Sequence, residues 1–167
     1  DKFNFSYKLK DSEITPIEEL ADDLMAKVDK IKKTLTTEEL LDLLKSLDTY
    51  NKYQERIESH QADITPVFKS QTFPDKAEII NSNKILYSLL QAIKNIDQNK
   101  FGQWGEADSH EIKPKTINDK SYLVLKNANR PMHFTEIANS INEVKFDRKT
   151  ANPATVHNEL ILDNRYV

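Results

Sequence analysis

The sequence contains no cysteine, which removes disulfides, thiolate metal ligands and thiol nucleophiles together and suits a reducing cytoplasm. Glycine is almost as scarce, with only Gly102 and Gly105. Two glycines three residues apart form neither a phosphate-cradling loop nor a dinucleotide-binding fingerprint, so no cofactor motif is present. They also cannot supply the turns of a sheet-rich domain, and the composition therefore points to helices joined by short polar connections. No apolar run approaches the ~18 residues of a membrane span, and the start has no signal-peptide pattern.

What is present is 167 residues, 38 % hydrophobic and 31 % charged, the balance of a soluble globular chain with one ordinary domain or two small ones. Asp1 in place of methionine, and the apolar approach Arg165-Tyr166-Val167, read as the limits of a fragment of a longer protein. The formal net charge of −3 is unevenly spread. Residues 1–113 carry 16 Lys+Arg against 21 Asp+Glu (−5), whereas residues 115–167 carry 8 against 6 (+2). That change of sign is expected if only the C-terminal part approaches phosphates.

Local patterns predict a mainly α chain. Residues 1–11 read as a strand-like or irregular lead-in with Phe3, Phe5 and Tyr7. Thr15-Pro16 is expected to start a helix, with Thr15 as N-cap, Glu18 completing a capping box, and Ile17, Leu20, Leu24, Val28 and Ile31 forming one buried stripe. Thr36-Thr37-Glu38-Glu39 repeats the start signal, and the stripe Leu40, Leu41, Leu44, Leu47, Tyr50, Tyr53, Ile57 predicts one helix to about His60. Ile64-Thr65-Pro66 and Phe73-Pro74 interrupt the pattern, after which Asp75 is expected to cap a helix carrying Ile79, Ile80, Ile85, Leu86, Leu89, Leu90, Ile93 and Ile96. Three such helices bury their stripes on one another as a bundle over residues 1–97. Residues 98–115 lose all periodicity and read as an ordered linker in which Phe101 and Trp104 dock on a neighbouring surface.

Three shorter helices follow, over 118–127, 135–143 and 153–162, with Thr135 expected to cap the second. Three compact helices joined by tight turns make a helix-turn-helix arrangement. The third is expected to bury Val156, Leu160 and Ile161 and to expose Thr155, His157, Asn158 and Glu159. Arg148 and Lys149 precede it as candidate phosphate contacts, with Asn152, Thr155 and Asn158 as candidate major-groove contacts. The alternative is a solvated helix face with a polar approach.

The stretch Lys120-Ser121-Tyr122-Leu123-Val124-Leu125, followed by Arg130-Pro131-Met132-His133-Phe134-Thr135-Glu136-Ile137-Ala138 and later by Thr150-Ala151-Asn152-Pro153-Ala154-Thr155-Val156-His157-Asn158-Glu159-Leu160, resembles the HARE-HTH family. The resemblance implies a winged-helix module over residues 116–167, of the kind seen in the delta subunit of bacterial RNA polymerase, in restriction-endonuclease accessory regions and in chromatin proteins. The family continues past Arg165-Tyr166-Val167 into a two-stranded wing, which this sequence lacks. Asn99 to Asp108, with Glu111 to Lys115, resembles the segment preceding this domain in bacterial sigma-factor-related proteins. Asp1 would then begin after a sigma-like module.

These readings imply a cytoplasmic transcription protein with DNA as partner, or alternatively a protein-interaction module docking on RNA polymerase through its acidic bundle. The four histidines, at 60, 110, 133 and 157, show no metal-ligand spacing. His133 is expected to bond locally at a helix start and His157 to lie on a solvated face. Glu18, Glu19, Asp22 and Asp23 suit the first turns of a helix without catalysis. With no organised nucleophile, base and oxyanion set, an enzyme is not expected.

Overall fold

The computed structural model describes residues 2–4, 13–59 and 74–167. Phe5, Tyr7, His60, the break at Ile64-Thr65-Pro66 and Phe73 lie outside them. The protein is mainly helical. Its elements are α1 (Thr15–Ile31), α2 (Thr37–Lys45), α3 (Asp48–Ser59), a single 3-10 turn (Pro74–Lys76), α4 (Ala77–Ser82), α5 (Lys84–Ala92), strands β1 (Ile96–Gln98) and β2 (Trp104–Glu106), then α6 (Ile117–Ala128), α7 (Phe134–Val144) and α8 (Pro153–Ile161). Among the described residues no helix is long and apolar enough to cross a membrane. The chain divides into two compact units, Asp1–Gln98 with Gly102–Ala107, and Asn99–Phe101 with Asp108–Val167.

The first unit differs from the expected three long helices at its junctions. Helix α1 starts at Thr15, not after it, because the Ile14 carbonyl takes the amides of Ile17 and Glu18, both at 3.0 Å, and Ile14 occupies the cap without a side-chain bond. Pro16 is the buried residue of that first turn, and Ile17 is left 48 % exposed. The Thr36 start is a full capping box: Thr36 Oγ1 accepts from the Glu39 amide while Glu39 accepts from the Thr36 amide. The long helix expected next breaks into α2 and α3, because Ser46 turns its amide and hydroxyl onto the last carbonyls of α2. Asn83 divides the following one, its side-chain amide donating to the Ile79 carbonyl between α4 and α5. Asp75 sits within the 3-10 turn rather than capping α4, whose N-cap is Lys76.

A β-hairpin replaces the end of the expected third helix, whose Ile93 lies past the end of α5 and whose Ile96 lies in β1, and the start of the expected linker. Strands β1 and β2 pair antiparallel with Ile96 opposite Glu106 and Gln98 opposite Trp104. Gly102, at φ 83°, takes the left-handed step of the turn, and its carbonyl accepts from the Gln98 side chain at 2.9 Å. Trp104 and Leu35 exchange backbone hydrogen bonds of 2.7 and 2.8 Å. The indole is 2 % exposed, stands edge-on to Tyr87 with centroids 5.7 Å apart, and donates Nε1–H to Thr37 Oγ1 at 3.0 Å. It belongs to the same core as Leu20, Leu24, Leu40, Leu44, Leu90 and Ile93. Trp104→Ala is expected to remove about 3–5 kcal/mol from the first unit and Thr37→Val about 1 kcal/mol, read by urea unfolding. Equal and small effects of both would show that the hairpin is not part of the core.

Candidate nucleic-acid interface

In the second unit α6, α7 and α8 pack around Val124, Ile137, Ala138, Ile141, Ala151 and Val156, with Phe101, Phe134 and Phe146 against them. Helix α6 starts with a reciprocal cap, Thr116 Oγ1 accepting from the Asp119 amide and Asp119 accepting from the Thr116 amide, both at 3.0 Å. Helix α7 starts one residue earlier than expected. His133, not Thr135, is its N-cap, with Nδ1 accepting from the Thr135 amide at 3.3 Å. This lets Phe134 enter the helix and pack on the core.

The connection from α7 to α8, Lys145 to Asn152, falls in the gap left between the expected helices over 135–143 and 153–162. It is eight residues long, against the three or four of a minimal helix-turn-helix. Its shape is held by side chains instead. Asn142 on α7 clamps the end of the connection, its amide donating to the Ala151 carbonyl at 3.0 Å and its oxygen accepting from the Ala151 amide at 2.7 Å. Lys120 on α6, only 2 % exposed, reaches Asp147 with Nζ to Oδ2 at 2.7 Å. Asp147 also accepts from the Lys149 amide at 2.9 Å. Between them Phe146 lies edge-on to Phe101 with centroids 5.9 Å apart. Lys145 ends α7 in the left-handed conformation at φ 54°, which costs a non-glycine residue about 1 kcal/mol.

Arg148 and Lys149 are therefore exposed side chains on an anchored segment. Asn152 is the N-cap of α8, its oxygen accepting from the Ala154 amide at 2.9 Å, so only its amide NH2 remains as a donor. Thr155 and Asn158 are exposed on α8, together with Glu159 and His157. Ile161, expected to be buried, is 65 % exposed. Val156 and, one turn on, Leu160 define the inner face, and Ile161 is a further 100° round the helix.

The cations of residues 115–167 separate into two groups. Lys120, Lys126, Arg130 and Arg165 form ion pairs with Asp147, Glu111, Glu136 and Asp163. Arg165 is further held by Asn118, whose oxygen accepts from it at 2.8 Å. Lys115, Lys145, Arg148 and Lys149 have no ion pair among the described residues, and the last three lie within five residues of chain. Lys145 was not among the predicted contacts; its place one residue past the apolar stripe of α7 is the signal that would have found it. Lys120 and Asn142 were also missed. Lys120 follows Ile117 by three and precedes Leu123 and Val124 by three and four, which puts it on the inward face.

Among the described residues no group of three or more His, Asp or Glu side chains is placed to hold a metal ion. His133 and His157 both lie against Phe134, with ring centroids 4.1 and 4.9 Å away. No protein-family model, no curated protein and no solved structure matches the chain.

The hydrogen bond from Lys120, with the Lys149 amide adding to it, holds the Asp147 carboxyl below its ordinary value. A carboxylate depressed in the folded state contributes stability above its unfolded pKa of about 3.9 and loses that contribution as pH falls through the lower folded value. Asp147→Asn is therefore expected to lower the Tm of the second unit most at neutral pH, the gap to wild type closing below about pH 4. A gap independent of pH, followed by thermal melts, would show that the carboxylate charge is not what Lys120 requires.

Proposed function

We propose that the second unit is a DNA-binding module of a cytoplasmic bacterial transcription protein, of the HARE winged-helix kind that its residues resemble, and that its role is binding rather than catalysis. The observation that supports this best is the concentration of unpaired positive charge on an anchored segment, with Lys145, Arg148 and Lys149 exposed on either side of a carboxylate that Lys120 already occupies. Phosphate contacts supply most of the affinity of such modules, and they are strongest when the cations are held in place and not already paired. Thr155 and Asn158 on α8, with the amide of Asn152, add hydrogen-bonding groups suited to base edges. Glu159 limits how closely the far end of α8 can approach phosphates.

A second reading, docking on RNA polymerase, is favoured by one observation. Residues 1–113 carry a net −5, which repels DNA and suits a basic protein groove. The two readings differ in what Arg148 does. Under DNA binding, Arg148→Ala weakens duplex binding whatever its sequence, and flattens the plot of log affinity against log salt by about one unit. An unchanged affinity and slope, measured by fluorescence anisotropy at several salt concentrations, would overturn the DNA reading and leave polymerase docking.

A further inference from the structure

We infer that the turn Asn99–Phe101 adds a second chain segment to the phosphate-contacting surface, with Lys100 as its contact, so that a duplex backbone is held from Lys100 as well as from Lys145, Arg148 and Lys149. This deepens the DNA reading and rests on it. The turn belongs to the second unit. Phe101 packs against that unit's core and stands edge-on to Phe146, with centroids 5.9 Å apart. Phe146 is the residue between Lys145 and Asp147 in the α7–α8 connection. The ring contact therefore sets Lys100 one residue from one side of the aromatic pair and Lys145 one residue from the other. Two cations distant in sequence are brought onto neighbouring stretches of chain.

Lys100 has the two properties that single out Arg148 and Lys149. Its side chain is exposed and has no ion pair among the described residues. Its backbone is anchored on both sides. Asn99, 4 % exposed, accepts from the Phe101 amide at 3.0 Å through its side-chain oxygen and donates its side-chain amide to the Glu111 carbonyl at 2.9 Å. The Asn99 side chain thus spans Lys100 in a short turn of the kind asparagine favours. Of the carboxylates beside these contacts, Asp147 is occupied by Lys120 and Glu111 by Lys126. Glu143, two residues before Lys145, is exposed on α7 and bounds the cationic stretch in sequence. Lys115 is the poorer candidate, because its own amide donates to the Asp119 carboxylate at 3.2 Å and an anion therefore lies beside it. Phosphate contacts add to the salt dependence one by one, so a contact from a second segment raises the slope as well as the affinity. Contacts from two segments also fix the orientation of the module on the duplex, where one segment alone can pivot.

The test uses the full chain and a DNA duplex of arbitrary sequence, with binding followed by fluorescence anisotropy at several salt concentrations. Lys100→Ala should lower the affinity several-fold at low salt and flatten the plot of log affinity against log salt by about one unit. Combined with Arg148→Ala it should flatten the plot by about two. Lys100→Arg, which keeps the charge, should bind as wild type does. Lys27→Ala removes the same charge from an exposed position on α1 of the first unit and should leave the slope unchanged. An unchanged slope in Lys100→Ala beside a flattened one in Arg148→Ala would overturn the inference and leave the DNA reading standing. So would a slope flattened as much by Lys27→Ala or by Lys100→Arg, because the effect would then come from net charge or from the fold of the turn. Arg148→Ala without effect, or no binding by wild type, would instead remove the DNA reading and this inference with it.

Discussion

The Lys120 ammonium is nearly buried and so has to meet an anion, and the one it meets is Asp147, outside its own helix. An ammonium left unpaired in such a place costs several kcal/mol, so the pair governs where the α7–α8 connection can lie. Its consequences spread from there. The Asp147 carboxylate is taken by Lys120, and the neighbouring Arg148 and Lys149 side chains face solvent without an ion pair of their own. The Asn142 clamp on Ala151 does the same at the other end of the connection, with two backbone groups satisfied by one amide. An eight-residue segment without regular structure is thereby held at both ends, which limits its conformational freedom.

Scarcity of glycine shapes the helix ends in both units. Helices α1, α6 and α7 finish on Lys32, Asn129 and Lys145 in the left-handed region, a place where glycine is the usual residue. For Lys145 the choice has a second effect, since the residue that terminates α7 is also a cation adding to Arg148 and Lys149. Gly102 is kept for the hairpin turn, where φ of 83° brings Trp104 back beside Leu35.

Much of the helical content was legible in the sequence because apolar spacing is a local property. The stripes of α1, α2 and α5, the Thr36 capping box, and the three helices after Thr116 could all be read from periodicity and caps. The breaks at Ser46 and Asn83 could not, because the stripe runs through both and the interruption comes from side chains competing for carbonyls. The hairpin was invisible for another reason. Strands of three residues carry too little alternation to read, and the bridge from Trp104 is to Leu35, distant in sequence. Among the candidate contacts, Arg148, Lys149, Thr155 and Asn158 were singled out by residue type; all four lie exposed, as was expected of Thr155 and Asn158. Lys120, Asn142 and Asp147, which position them, act through tertiary contacts that no short window of sequence contains.

Under the proposed function the anchored connection and the outer face of α8 meet DNA, and the acidic first unit takes no direct part. An NMR titration of the isotope-labelled chain with DNA tests this most directly. Amide shifts should concentrate between Lys145 and Asn158, with the helices α1 to α5 unperturbed. Shifts confined to the first unit, or none at saturating DNA, would contradict it.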